Sequence, residues 1–260
     1  MMEKLIIGAI AGDMLYDGKE NAGNEYSLST GKTDYSCNSV LTVAVMDSLL
    51  NGRDYTQTLQ LYGRKYPGRG YETAFLRWLG QDNPRPYHSW NNGAALRASP
   101  IGFSGRTLPE VMEEARRSAE VSHNHPDGIM GAQAVAAGVF LARNGRTKDE
   151  IRDYIESAFG YNLNRTIEQI RKDYYYDRSC QGSVPEAIIA FLDSNDFESA
   201  VSLAGSLGSR SIATISGGIA QAYYKEIPGH IVKHAAGKLS SEMFETVHEF
   251  SNTYPLSLFH

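Results

Sequence analysis

Pro126-Asp-Gly-Ile-Met-Gly-Ala-Gln-Ala-Val-Ala-Ala-Gly-Val-Phe-Leu-Ala-Arg143 is a long Ala/Val-rich stretch that ends at Asn144-Gly145. Its apolar residues follow the spacing of three and four that marks a helix, and strict alternation, the mark of a half-buried strand, is absent. The same spacing recurs along almost the whole chain. Residues 38–51 carry Val40, Leu41, Val43, Ala44, Val45, Leu49 and Leu50 and stop at Gly52. Thr107-Leu-Pro-Glu110 and Thr147-Lys-Asp-Glu150 fit the capping box, in which a Thr hydroxyl and a Glu carboxylate satisfy backbone donors at a helix start. Each opens a stretch of roughly 12–15 helical residues. Residues 184–192, 196–207 and 211–224 read as three successive helices, and Ala204, Gly205, Ala213, Gly217, Gly218 and Ala220 suit close packing between them. With a first buried helix in 5–15 and a last one over 241–250, the sequence predicts an all-α fold, a single compact multi-helix bundle.

Composition bounds the rest. The chain has 260 residues, 42% of them apolar, with 25 basic and 30 acidic side chains and a formal charge of −5. That length suits one soluble domain over 1–260 that buries its own core. Two cysteines, Cys37 and Cys180, cannot form a disulfide framework, so a reducing cytoplasmic setting is expected. The acidic balance and the lack of Lys/Arg runs argue against direct nucleic-acid binding or an anionic membrane surface, while the surplus of carboxylates leaves hard-metal chemistry open. Asp13, Gly8 and Gly12 break the apolar run of 5–15, which falls well short of the roughly 20 residues a membrane span requires and has no small-residue cleavage site. No linker, repeat or low-complexity block divides the chain. A monomer is the working expectation for the oligomeric state, which the sequence does not fix.

Function should sit in four polar loops, at 12–33, 87–97, 121–128 and 175–184. Gly8-Ala-Ile-Ala-Gly12-Asp13 is followed by Glu20, twelve residues after Gly8. Asn91-Asn92-Gly93-Ala94-Ala95-Leu96-Arg97 leads to Ser99-Pro100. Ser122-His123-Asn124-His125-Pro126-Asp127-Gly128 precedes Gly131-Ala-Gln-Ala134, and Ser179-Cys180-Gln181-Gly182-Ser183-Val184-Pro185-Glu186-Ala187 comes later. In this order and spacing the segments resemble the ADP-ribosyl-glycohydrolase family, the dinitrogenase-reductase-activating glycohydrolase-like proteins, through nearly the whole chain.

The resemblance implies a helical bundle with a cleft for an ADP-ribosyl group and, in active members, two Mg²⁺ ions that bind the distal ribose. It also implies Thr-Asp-Asp-Thr at the start of the second core helix and Asp-x-Asp-Thr late in the chain as the source of the metal ligands. Here Ser36-Cys37-Asn38-Ser39 stands at the first motif and Arg210-Ser211, preceded by Gly208-Ser209, at the second. Mg²⁺ is a hard ion held mainly through carboxylates, Cys37 is a soft ligand, and Arg210 brings a permanent positive charge. The binuclear site is therefore expected to be lost, with no metal cofactor; a shift of Asp34 into the motif would displace a well-patterned helix.

By resemblance, Glu20 is the candidate catalytic residue, a carboxylate that orients or deprotonates water and stabilises an oxocarbenium-like centre; otherwise it is a solvated loop glutamate. Asp13 reads as a structural hydrogen-bonding residue. Asn91, Asn92 and Gly93 are expected to open a helix whose free donors cradle a diphosphate. Ser122 and His123 are candidates for the phosphate and ribose wall, and Ser36 and Asn38 for the substrate floor. Arg210 is either a surface charge or a replacement cation for phosphate or ribose oxygens. Trp90 either stacks on adenine or packs in the core. A zinc site at His123-x-His125 and a Cys37 nucleophile are the minor alternatives. Two functions stay open: a hydrolase that cleaves the glycosidic bond of an ADP-ribose-type ligand without magnesium, and a pseudoenzyme or scaffold that binds ADP-ribose or an ADP-ribosylated partner.

Overall fold

The computed structural model describes residues 4–15 and 33–256. In chain order its α-helices are α1 (Gly8–Leu15), α2 (Cys37–Asn51), α3 (Tyr55–Lys65), α4 (Thr73–Leu79), α5 (Ser99–Ser104), α6 (Leu108–Glu120) and α7 (Pro126–Arg143). The second half adds α8 (Lys148–Phe159), α9 (Ile167–Arg171), α10 (Val184–Leu192), α11 (Phe197–Gly205), α12 (Arg210–Tyr224), α13 (Gly229–Lys238) and α14 (Ser241–Thr253). No strand occurs among the described residues, where the single β-type pairing is an isolated antiparallel bridge between Asn91 and Ser179. The fold is all-α. No described helix is long and apolar enough to cross a membrane.

The capping signals act as the sequence predicts. Thr107 and Thr147 each accept from the third helical N–H while Glu110 and Glu150 bond back, at the starts of α6 and α8. Helix α7 has the predicted bounds, opened by His125, whose side chain accepts from Asp127 N. Gly52, at φ 61, closes α2 in the left-handed conformation that glycine adopts without strain. Helices α3, α4, α9 and α13 were not foreseen, and α13 shows why: it contains Gly229 and Gly237, which weaken a helical pattern.

Helices α1 and α12 make the closest crossing. A Cβ on Gly8 would lie 2.4 Å from Gly217 O, and one on Gly12 would lie 2.2 Å from Ala213 O. Glycine is therefore required where the two backbones meet. From α12, Gln221 Oε1 accepts from Ile7 N at 2.9 Å and Gly8 N at 2.6 Å, and its Nε2 donates to Leu5 O at 2.6 Å. One side chain thus satisfies donors that the start of α1 leaves free. This crossing fixes the far end of α1, where Asp13 lies, beneath the N-terminus of α12.

Gly12→Ala is expected to cost about 1–3 kcal/mol, because the obstructing atoms are backbone and cannot rotate away. Gly237→Ala in α13, with open space around its Cβ position, should instead stabilise by about 0.5–1 kcal/mol. Urea unfolding of the two variants checks both signs.

Candidate functional site

Helix termini and loops surround an open cleft of about 720 Å³. Its wall comes from residues 34–38 before and within α2, the loop 68–73 leading into α4, the segment 87–97, His123, the loop 176–178 and the N-terminus of α12. Among the described residues four arginines (Arg69, Arg97, Arg178 and Arg210) and two carboxylates (Asp34 and Glu72) line it.

Behind the floor sits Asp13, fully buried. Its carboxylate accepts from Ser36 N at 2.8 Å, Ser36 Oγ at 2.5 Å, Ser39 N at 3.3 Å and Ser39 Oγ at 2.6 Å. Those four donors at the start of α2, three on Oδ2 and one on Oδ1, tie it into the fold, the structural role the sequence suggested. Arg210 Nη1 lies 3.9 Å from Asp13 Oδ1 and donates to Asp34 O at 3.0 Å. A cation on the first residue of a helix opposes the positive end of the helix dipole, and the buried Asp13 charge offsets that cost. Asn38 spans to α12, its Nδ2 donating to Thr214 Oγ1 at 3.1 Å.

The remaining floor groups are tied down. Burial opposes ionisation of Asp34, yet Arg69 at 2.6 Å and the Tyr35 N–H at 2.9 Å outweigh it and hold the carboxyl below its usual value. Arg69 also stacks over the Tyr35 ring at 3.7 Å. Burial, followed by the charges of Asp13 and Glu72, pushes the Cys37 thiol up to about 12. The neutral thiol rests 3.5 Å from Gly70 O and 3.6 Å from Asn38 Oδ1, a setting that disfavours a nucleophile.

On the other wall His123 is buried, and desolvation together with the nearby Arg97 charge holds it well below its ordinary value, so the ring is neutral. Arg97 is fully buried, and burial lowers its pKa to about 10. Its Nη2 donates to Ser118 O at 2.8 Å and Ser122 Oγ at 3.0 Å. Among the described residues its Nε and Nη1 have no partner, and neither has the buried Tyr87 hydroxyl.

Six of the sequence-derived residues meet at this cleft: Ser36, Asn38, Asn92, Gly93, His123 and Arg210. Three expectations change. Ser122 does not line the cleft; fully buried, its hydroxyl meets His123 Nδ1 at 2.8 Å and so positions that ring. Asn91 also lies off the lining, its Nδ2 donating to Glu72 Oε2 at 3.1 Å. The anticipated helix at 91–93 is a turn before a 3-10 segment, Ala95–Arg97, and Asn92 N is used by Arg178 O at 2.8 Å, so it is not a free anion donor. Trp90, 53% exposed, is neither core nor cleft lining. Glu20 lies outside the described residues. His125 caps α7, and no group of three or more His, Cys, Asp or Glu residues placed to hold a metal occurs among the described residues.

Sequence reading missed Arg69, Glu72 and Arg178. The signal available for the first two was Gly68-Arg69-Gly70, whose glycines take φ 74 and 84 and turn the chain into the cleft. Glu72 precedes α4, and its Oε1 lies 3.8 Å from Arg178 Nη1.

The comparisons agree with one another. The chain is 28% identical over 196 residues to an ADP-ribosylarginine hydrolase Tri1 of Pseudomonas putida (strain GB-1), covering 68% of this chain and 51% of that one. It is 26% identical over 162 residues to the ADP-ribosylhydrolase ARH3 of Danio rerio, covering 55% and 42%, and 27% identical over 158 residues to that of Mus musculus, covering 54% and 42%. The chain thus matches about half the length of these curated relatives. A solved structure described as an ADP-ribosylglycohydrolase-related protein complex superposes with a TM-score of 0.73 at 20% identity over 96% of both chains, a likeness of fold. The family model for ADP-ribosylglycohydrolase matches residues 6–254, and the chain belongs to that family.

Proposed function

We propose that the cleft binds an ADP-ribose-type ligand without a binuclear magnesium site, and that the chain, one functional unit over 1–260, hydrolyses the ligand's glycosidic bond. The observation that carries this reading is the buried Arg97, which leaves two guanidinium nitrogens unpartnered at the cleft wall. A buried cation with free donors is costly unless an anion or water meets it, and a diphosphate supplies that anion. The donor set does not fit two Mg²⁺ ions: Asp13 is buried and engaged by Ser36 and Ser39, Asp34 is held by Arg69, and Arg210 adds positive charge at the floor.

In the hydrolytic reading Glu20 takes a proton from water as the water oxygen bonds to the anomeric carbon. The bond from that carbon to the leaving nitrogen or oxygen breaks, and the leaving group departs with the electron pair and receives the proton that Glu20 removed from water. Arg210 supplies electrostatic stabilisation in place of a metal. The relatives named for hydrolysis of ADP-ribosyl bonds support an ADP-ribosylated substrate, the net charge of −5 argues against nucleic-acid binding, the two cysteines suit a reducing cytoplasm, and a monomer remains the working expectation. The second reading, a catalytically inactive binder or scaffold, is favoured by the engagement of Asp13 with Ser36 and Ser39 and of Asp34 with Arg69: a metal template is worth several kcal/mol to the transition state, and nothing described replaces all of it.

Calorimetry with ADP-ribose should give the same affinity, within about twofold, with and without Mg²⁺; a strong tightening by Mg²⁺ sinks the metal-free reading. Release assays on ADP-ribosylated arginine and serine should lose turnover in Glu20→Ala while binding persists. Good binding with no turnover in the unaltered protein instead selects the pseudoenzyme. Arg210→Ala should weaken ADP-ribose binding by about tenfold or more, as expected for lost charged hydrogen bonds. Unchanged affinity returns Arg210 to the status of a surface charge.

A further inference from the structure

We infer that Glu72 is a specificity residue of this cleft, a carboxylate that accepts hydrogen bonds from the hydroxyls of the ligand's distal ribose. The inference rests on the ligand class proposed above and adds to it a residue outside the motifs that identify the family.

Glu72 occupies the N-cap position of α4, where a side chain ordinarily turns back to the helix's free N–H groups. It makes no such bond. The side chain instead lies along the cleft, 31% exposed, with Oε2 fixed by Asn91 Nδ2 at 3.1 Å. Oε1 faces Arg178 at 3.8 Å, beyond hydrogen-bond distance, and the arginine side chain is 64% exposed. The carboxylate is therefore oriented by one partner and keeps lone pairs open toward the cavity.

A sugar diol brings O–H protons that need acceptors, and an O–H buried without one costs free energy. The floor of the cleft is rich in donors and poor in acceptors. Both Asp13 oxygens already accept from Ser36 or Ser39 behind the floor, and both Asp34 oxygens are engaged, one by Arg69 and one by Tyr35 N. Glu72 is the described cleft carboxylate with an oxygen that no hydrogen bond occupies. Its position suits a contact with a ligand reaching the floor: burial is the main cause of the raised pKa values of Cys37 and Tyr87, and the Glu72 charge adds to both. Glu72 lines the same cleft as Cys37 and Asn38 of α2 and His123.

The test is calorimetry on the full chain with two probes, ADP-ribose and ADP, which differ by the distal ribose. The unaltered protein should bind ADP-ribose more tightly than ADP. Glu72→Ala should lose about tenfold or more in ADP-ribose affinity and leave ADP unchanged, so that the preference for the ribosylated probe collapses. Glu72→Gln, which keeps the side-chain volume and an acceptor oxygen, should lose less, and thermal melting confirms that each variant is folded. Equal losses for both probes, no loss for either, or an unaltered protein that does not prefer ADP-ribose overturns the assignment while the ligand class stands. If the unaltered protein binds neither probe, the ligand class itself fails and this assignment with it.

Discussion

The site depends on the backbone contact between α1 and α12. With Gly8 against Gly217 and Gly12 against Ala213, there is no room for a Cβ at either α1 glycine. Close packing of this kind fixes axial position as well as distance, because the neighbouring turns interlock. Gln221 completes it by bonding Leu5, Ile7 and Gly8. The result is that the end of α1 is held under the first turn of α12, and Asp13 meets both Arg210 and the start of α2.

From that point the floor is a knot of helix termini. Ser36 caps α2 and bonds Asp13 with the same hydroxyl, while Ser39 adds a second hydroxyl and N–H. A buried carboxylate would be strongly destabilising alone, and four donors with a guanidinium nearby account for its presence. In the segment that resembles the family's Thr-Asp-Asp-Thr, Ser36 and Ser39 stand at the threonine positions and turn their hydroxyls inward to Asp13, while Cys37 and Asn38 stand at the aspartate positions.

Much of the fold was legible because helix signals are local. Thr107, Thr147 and Gly52 act within one turn of themselves, so their chemistry can be read without knowing the neighbours. The site was legible only in part. Ser36, Asn38, Asn92, Gly93, His123 and Arg210 reach the cleft because they sit at element ends that the pattern marks. Ser122 and Asn91 lie off the cleft lining because facing outward or inward is decided by partners elsewhere in the chain: Arg97 for one, Glu72 for the other. Glu72 carried no motif at all. Its place in the cleft follows from two glycine turns and an uncapped helix start, which only the three-dimensional path joins to Asn91 and Arg178.

A guanidinium and a divalent ion are not equivalent occupants of such a floor. Mg²⁺ acts as a Lewis acid that can acidify or polarise a bound hydroxyl, whereas Arg210 offers one unit of charge and donors in a fixed plane. It can orient and neutralise oxygens but accepts nothing. A metal template satisfies the oxygens of a diol by coordination while leaving their protons free to move. A guanidinium satisfies the oxygens alone, and the protons then need carboxylates. On the proposed reading, exchange of metal for arginine therefore shifts the burden of recognition onto acidic side chains of the cleft, so that Glu72 becomes the chemical counterpart of Arg210.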